Sequence, residues 1–170
     1  GRGGFDTASY NSLGLATAGV SVDLAAGTAT GDASIGTDTL RSIEGIQGTG
    51  FADTFVATGY GLAGAANVGN NGNFNQFEGL AGDDSITGNG NTRLGYFNTT
   101  GGVTIDLQAG SAMGNTSVGH DTFTGVNSVA GGNFADTYDA TGFSGLNGTF
   151  NAFEGRAGDG GDNRLDGEVN

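Results

Sequence analysis

The chain has 170 residues, which suits one ordinary domain, but its composition is unusual, with 37 Gly and no Pro, Cys or Trp. Eighteen acidic residues against five basic ones give a formal net charge of −13. This excess of acid argues against binding to nucleic acid or to an anionic membrane surface, and the sequence contains no apolar run long enough for membrane insertion. Without Cys, disulfides cannot stabilise the fold.

The first predicted element is a strand over residues 20–24, where apolar and polar residues alternate and a turn follows at 25–27. Thr39 and Leu40 are predicted to start another short strand. Ile43 and Ile46 then follow at a spacing of three, which predicts a corner between two short strands. Gly, Asn, Asp, Thr and Ser fill every later window, so helix is disfavoured throughout.

The same elements return later in the chain, because residues 20–55 and 103–138 are nearly the same sequence. Asp23 and Asp106 are 83 positions apart, and so are the pairs Asp38/Asp121 and Asp53/Asp136. A later segment, 74–79, returns at 150–155 with an offset of 76, so the second copy lacks seven residues (83 minus 76). The missing residues fall within 61–73, a stretch rich in Gly, Ala and Asn that we predict to be a surface loop.

A long tandem repeat favours stacked units over one centred globule. The aspartates recur every 15 residues within each copy, which suits a coil of short parallel strands. We therefore predict an all-β fold, a right-handed parallel β-helix or β-roll solenoid with about four coils per 83-residue unit. Residues 1–87 would form the first unit and residues 88–170 the second unit of one continuous solenoid.

Several segments fit the nonapeptide G-G-x-G-x-D-x-U-x, in which U is a large apolar residue. The segment 79–87 fits at every defined place except the second Gly, and segments 1–9, 131–139 and 158–166 fit more loosely. In such a motif the Gly-rich half turns tightly, the Asp supplies a carboxylate, and the apolar residue anchors the turn in the core. Carbonyl and carboxylate oxygens on adjacent turns are the ligands that calcium accepts.

These segments resemble the RTX (repeats-in-toxin) calcium-binding proteins of Gram-negative bacteria, and the phrases at 102–110 and 132–138 resemble the long RTX-like arrays of very large secreted proteins. The resemblance covers nearly the whole chain and implies a parallel β-solenoid, calcium-driven folding outside the cell and type I secretion. One departure is that no two intact nonapeptides are adjacent here, so the fold carries over better than the number of bound ions.

The candidate calcium ligands are aspartates in or near these motifs. They are Asp6, Asp38, Asp53, Asp83, Asp84, Asp121, Asp136 and Asp162. The alternative interpretation of the same residues is that they form turns or cap corners, because Asp side chains bond nearby backbone N–H groups. Asp23 and Asp106 lie within strands and are predicted to face solvent. His120 has no counterpart in the first copy and is predicted to be a surface residue.

The repeat, together with the lack of a catalytic constellation, favours a structural protein rather than an enzyme. We expect a calcium-assisted segment of a secreted or cell-surface bacterial protein that acts as adhesin stalk, surface layer or filament. Its partners would be further copies of the repeat and cell-surface or matrix components. The alternative is a calcium-binding accessory region of a type I-secreted enzyme. Carbohydrate binding through exposed aromatic residues and an ice-binding threonine face are further hypotheses.

Overall fold

The computed structural model describes residues 3–11, 14–156 and 164–166. Within these ranges the regular structure is β-strand, without α-helix, which confirms the all-β prediction. None of the described segments is a helix that is long and apolar enough to cross a membrane. The strands are β1 (Thr7–Ser9), β2 (Ser21–Asp23), β3 (Thr28–Thr30), β4 (Thr37–Thr39), β5 (Gly45–Gln47), β6 (Thr54–Val56), β7 (Asn75–Glu78), β8 (Ser85–Gly95), β9 (Thr104–Asp106), β10 (Ser111–Met113), β11 (His120–Ala130), β12 (Thr137–Asp139), β13 (Ala152–Glu154) and β14 (Arg164–Asp166).

The alternating segments form the strands that the sequence predicts. In β2 the polar residues Ser21 and Asp23 are exposed, whereas the apolar residues between and beside them are almost fully buried. In β9 Thr104 is exposed and Asp106 is partly exposed, and the apolar residues are again buried. The buried side chains are Val20, Val22 and Leu24 in the first copy and Val103, Ile105 and Leu107 in the second. Period-two burial thus drives strand formation in both copies.

The strands pair in two ladders that share β8 and β11. The first ladder runs in the order β4, β3, β2, β6, β8, β11, β10, β9, β12, β14. The second ladder runs β1, β5, β7, β8, β11, β13, and all of its pairings are parallel. The early residues of β8 and β11 pair in the first ladder, and their later residues, such as Leu94 with Val129, pair in the second.

The first ladder is mixed, which differs from the prediction of parallel coils alone. The strands β2, β3 and β4 form an antiparallel meander, and so do β9, β10 and the start of β11. The 15-residue spacing from Asp23 to Asp38 therefore spans this meander rather than one coil. Parallel neighbours in this first ladder lie further apart, at 31 residues from Thr54 to Ser85 and 37 from Ser85 to Thr122, so the estimate of four coils per unit is too high for this ladder.

The corner predicted at Ile43 and Ile46 is present in the first copy only. There, β4 ends at Thr39 and β5 begins at Gly45, so Thr39 ends a strand rather than starting one, and Leu40 follows that strand. In the second copy β11 runs without interruption from His120 to Ala130. In place of a corner, its pairing with β8 has two shifts of register.

The first ladder repeats itself after five strands. The order β4, β3, β2, β6, β8 in the first copy corresponds to β11, β10, β9, β12, β14 in the second. Corresponding residues in the first four strand pairs are 83 positions apart, such as Thr54 and Thr137, whereas Ser85 and Arg164 are 79 apart. The two copies therefore join where β8 pairs with β11, and the predicted unit boundary between residues 87 and 88 falls inside β8.

The core is a narrow apolar column between the ladders. Phe55 and Phe77 stack with ring centroids 4.9 Å apart, and Tyr138 and Phe153 stack at 4.7 Å in the second copy. Phe55, Phe77 and Tyr138 are almost fully buried, so each copy carries one aromatic stack at the same level. Phe55, Phe77 and Tyr138 thus belong to the core, and Phe153 packs against it.

Candidate functional site

Three predicted aspartates lie side by side in the first ladder, and we call Asp53, Asp84 and Asp121 the aspartate row. Asp53 and Asp84 immediately precede β6 and β8, and Asp121 lies at the start of β11. The parallel pairing of these strands aligns the three side chains. Each is only 2% exposed.

Each carboxylate of the row accepts a hydrogen bond from the backbone of the preceding strand. The Asp53 N–H donates to Asp84 Oδ1 at 2.8 Å, and the Asp84 N–H donates to Asp121 Oδ1 at 3.1 Å. The Val20 N–H donates in the same way to Asp53 Oδ1 at 2.7 Å. These bonds add to the ladder bonds, so the row ties successive strands together more firmly than strand pairing alone.

The second oxygen of Asp53 is also satisfied. Asp53 Oδ2 accepts the Thr49 N–H at 2.7 Å, and the Thr49 hydroxyl donates to Oδ1 at 2.9 Å. Asp136, the counterpart of Asp53, accepts the Val103 N–H at 2.9 Å and the Gly132 N–H at 3.0 Å, one on each oxygen. The capping interpretation of these aspartates therefore matches their contacts in both copies.

A glycine five positions earlier makes room for three of these carboxylates. A Cβ atom built on Gly48, Gly79 or Gly131 would lie 2.1, 1.7 or 2.1 Å from the Oδ2 of Asp53, Asp84 or Asp136 respectively. No side chain fits at such a distance, so the carboxylate packs directly on the glycine backbone. The spacing G-x4-D is the sequence signal of this packing.

Asp84 differs from its relatives because its Oδ2 is buried without a hydrogen-bond partner. Thr49 and Gly132, which follow the glycine in the other two sites, donate their N–H groups to Asp53 and Asp136. At the corresponding place Leu80 has a φ of 75°, a left-handed conformation rare for Leu. Burial, followed by the charge of Asp121, raises the pKa of the Asp84 carboxyl to about 8.

Asp121 accepts a hydrogen bond from a tyrosine that directly follows β8. The Tyr96 hydroxyl donates to Asp121 Oδ2 at 3.0 Å. Burial raises the pKa of Asp121 to about 7, although hydrogen bonds from the Asp84 N–H and from Tyr96 oppose that shift. Burial and the Asp121 charge raise the pKa of Tyr96 well above its ordinary value, so Tyr96 stays a neutral donor.

The other predicted ligands do not join the row. Asp83 is exposed, and its Oδ1 accepts the His120 N–H at 2.9 Å. Asp38, the counterpart of Asp121, is exposed. Asp6 lies in the second ladder beside β1, and its Oδ2 has no hydrogen-bond partner. Asp162 lies outside the described residues.

The residues predicted to lie on the surface are placed as expected. Asp23 is exposed, Asp106 is partly exposed, and each accepts a backbone N–H three residues later, from Ala26 at 2.9 Å and Ala109 at 2.7 Å. His120 is exposed as well.

The acidic side chains of the described residues do not gather into a metal-binding cluster. Across residues 3–11, 14–156 and 164–166, no group of three or more His, Cys, Asp or Glu side chains is placed to hold a metal ion. Calcium needs six to eight oxygens, whereas both oxygens of Asp53 and Asp136 are committed to N–H donors. Calcium binding stays a prediction.

Several buried polar residues were not predicted, among them Glu44 and Asn67. Glu44 is fully buried and accepts the Asp6 N–H at 2.7 Å and the Asn70 N–H at 2.8 Å. Asn67 is fully buried, although it lies in the 61–73 segment that the sequence predicts to be a surface loop. Asn127, 83 positions after Glu44, is also polar and buried, so the repeat does signal a buried polar residue there, whereas Asn67 falls in the stretch that the second copy shortens.

No protein-family model matches this chain, and no curated protein sequence matches it either.

Proposed function

We propose that this chain is a structural segment of a secreted bacterial repeat protein, a β-solenoid that serves as adhesin stalk, surface layer or extracellular filament. The observation that supports the proposal is the five-strand repeat of the first ladder. In it β8, the last strand of one copy, pairs with β11, the first strand of the next. β4 is the counterpart of β11 and lies at one end of this ladder, while β14, the counterpart of β8, lies at the other. A further copy can continue the sheet by the same pairing.

Corresponding residues differ in exposure in the way that such stacking predicts. Asp121 is 2% exposed beneath β8, whereas its counterpart Asp38 at the end of the ladder is exposed. In the second ladder Phe77 is 1% exposed beside β8, whereas Phe153 is only partly buried. Phe150 next to it is 68% exposed. Another copy would bury these positions as the internal junction buries their equivalents.

The internal junction also gives the register. Phe77 pairs with Leu94 of β8. Leu94 pairs with Val129 of β11, and Ala8 pairs with Ile46, the counterpart of Val129, so Ala8 is the counterpart of Leu94. In the proposed contact Phe153 of one chain therefore lies opposite Ala8 of the next. Such a contact is heterologous, so it propagates as an open stack rather than closing into a dimer.

Replacing Phe150 by Glu tests the stacking. We expect the wild-type chain to form higher-mass species as its concentration rises in sedimentation velocity. Phe150→Glu should weaken this association at least tenfold, because it places a charge in the contact. Leu62→Glu is the matched control, since Leu62 is 63% exposed in the 61–73 loop, away from both ladder ends. A strictly monomeric wild type, or equal effects of the two variants, would contradict the proposal.

Calcium enters the proposal as a counter-ion. A net charge of −13 repels itself in the compact state, and divalent cations reduce that repulsion. We expect calcium to raise the melting temperature by a few degrees over chelator, measured by calorimetry at equal ionic strength, and magnesium to do nearly the same. A large rise with calcium alone at micromolar concentration would show a selective site and would refute the counter-ion role.

A further inference from the structure

A cavity of about 200 Å³ lies in the second copy, between the turn after β9 and the middle of β11. Its walls include Leu107, Gly110, Val126 and Phe143. The corresponding residues of the first copy, each 83 positions earlier, are Leu24, Gly27, Ile43 and Tyr60. The repeat therefore shows what occupies the same space in the other copy, with the difference that Ile43 lies at a corner and Val126 lies within β11.

In the first copy this space holds the side chain of Asn67. Its Nδ2 donates to the carbonyl oxygens of Leu24 at 3.0 Å and Ile43 at 2.9 Å, and the Ile43 N–H donates to its Oδ1 at 3.1 Å. A Cβ atom on Gly27 would lie 3.0 Å from the Asn67 Cβ. One carboxamide thus bridges the turn after β2 and the corner before β5.

The backbone of the 61–73 loop is bound at the same place by hydrogen bonds. The N–H groups of Ala66 and Asn67 both donate to the Ala25 carbonyl, at 2.8 and 3.2 Å. The first copy therefore binds a short Ala-Asn segment of its own chain by main-chain and side-chain hydrogen bonds together.

Among the residues that the structure describes, the second copy has no asparagine side chain in the corresponding space. Its loop spans residues 144–149 instead of 61–73, and its asparagine, Asn147, donates instead to the Gly90 carbonyl at 2.9 Å. Phe143 also replaces Tyr60, whose hydroxyl donates to the Ile43 carbonyl at 3.1 Å. The shorter loop thus leaves open the space that Asn67 fills in the first copy.

We propose that the cavity of the second copy binds a peptide segment that presents an asparagine side chain, whose carboxamide takes the place that Asn67 holds in the first copy. A carboxamide suits this place because it is both a donor and an acceptor, as the contacts of Asn67 require. A carboxylate can only accept, so it would face the Leu107 carbonyl without a proton to donate. The negative charge of the chain further disfavours an acidic ligand.

The first test is a titration of the isotope-labelled full chain with a synthetic peptide of residues 61–73, followed by NMR. We expect saturable shifts of the Leu107, Gly110 and Val126 amide signals. A peptide with Asn67→Ala should bind at least tenfold more weakly, because it lacks the bridging group, and a peptide with Asn67→Asp should also bind more weakly. Absence of shifts at millimolar peptide, or equal binding of the Asn67→Ala peptide, would overturn the proposal.

The second test blocks the cavity in the protein. Replacing residues 144–149 by 61–73 should place an asparagine in the cavity and abolish the peptide response, whereas a Gly/Ser loop of the same length should retain it. Ser144→Trp gives an independent block, since Ser144 is exposed and lines the cavity. Peptide binding that survives both blocks in folded protein would place the peptide elsewhere and refute the assignment.

Discussion

Replacing Asp53 by Ala is expected to lower the free energy of unfolding by about 3 kcal/mol, because it leaves buried N–H groups without an acceptor. The carboxylate accepts from the Val20 N–H and from the N–H and hydroxyl of Thr49. All three donors lose a charged partner in a site that is 2% exposed. Urea unfolding followed by circular dichroism measures the change.

Two further variants separate the lost hydrogen bonds from the lost charge. Asp53→Asn keeps one acceptor oxygen, so its effect should lie between that of wild type and that of Asp53→Ala. Asp23→Ala removes the same charge from an exposed turn, where Asp23 accepts only the Ala26 N–H, and should cost less than about 1 kcal/mol. If Asp53→Ala and Asp23→Ala cost the same, the aspartate row does not hold the strands together.

The protein is expected to lose stability as the pH rises from 5 to 8. Burial raises the pKa of Asp84 to about 8 and that of Asp121 to about 7, whereas an unfolded Asp titrates near 3.8. Between these values the folded state binds more protons than the unfolded state, so the free energy of unfolding falls with rising pH. Each such proton contributes about 1.4 kcal/mol per pH unit, and the total loss is on the order of several kcal/mol.

The Asp84→Asn variant should show a flatter pH profile than wild type, because the amide is neutral at every pH in this range. It should also be more stable than wild type at pH 8, where the buried charge of Asp84 has no donor for its Oδ2. Asp83→Asn is the matched control, since the exposed Asp83 carboxylate carries the same charge next to the row. Parallel pH profiles for wild type and Asp84→Asn would contradict the assignment.

Local patterns predicted the strands but not how the strands pair. The alternation at 20–24 and 103–107 reflects burial of one strand face, which a short window contains. The 15-residue spacing is compatible both with a coil and with an antiparallel meander, and the sequence offers nothing that decides between them. The meander forms because the turns at Gly27 and Gly110, with φ of 66° and 69°, reverse the chain.

The sequence likewise identified the aspartates of the candidate site but not their contacts. The nonapeptide at 79–87 located Asp84, and the repeat located Asp53, Asp121 and Asp136. Neither the nonapeptide nor the repeat showed that backbone N–H groups of neighbouring strands donate hydrogen bonds to these carboxyl oxygens. Those contacts depend on which strands are adjacent. Tyr96, 25 residues before Asp121, could be assigned to that carboxylate only from the structure.

The two eleven-residue strands β8 and β11 bear on where the chain can be divided. They pair with each other in both ladders, so the place where one sequence repeat ends is the most continuously bonded part of the molecule. A cut between residues 87 and 88 would sever a strand and expose the edges of both fragments. Amide hydrogen exchange would accordingly be slowest at the middle of the chain, and recombinant halves made at the repeat boundary would be poor models of the intact protein.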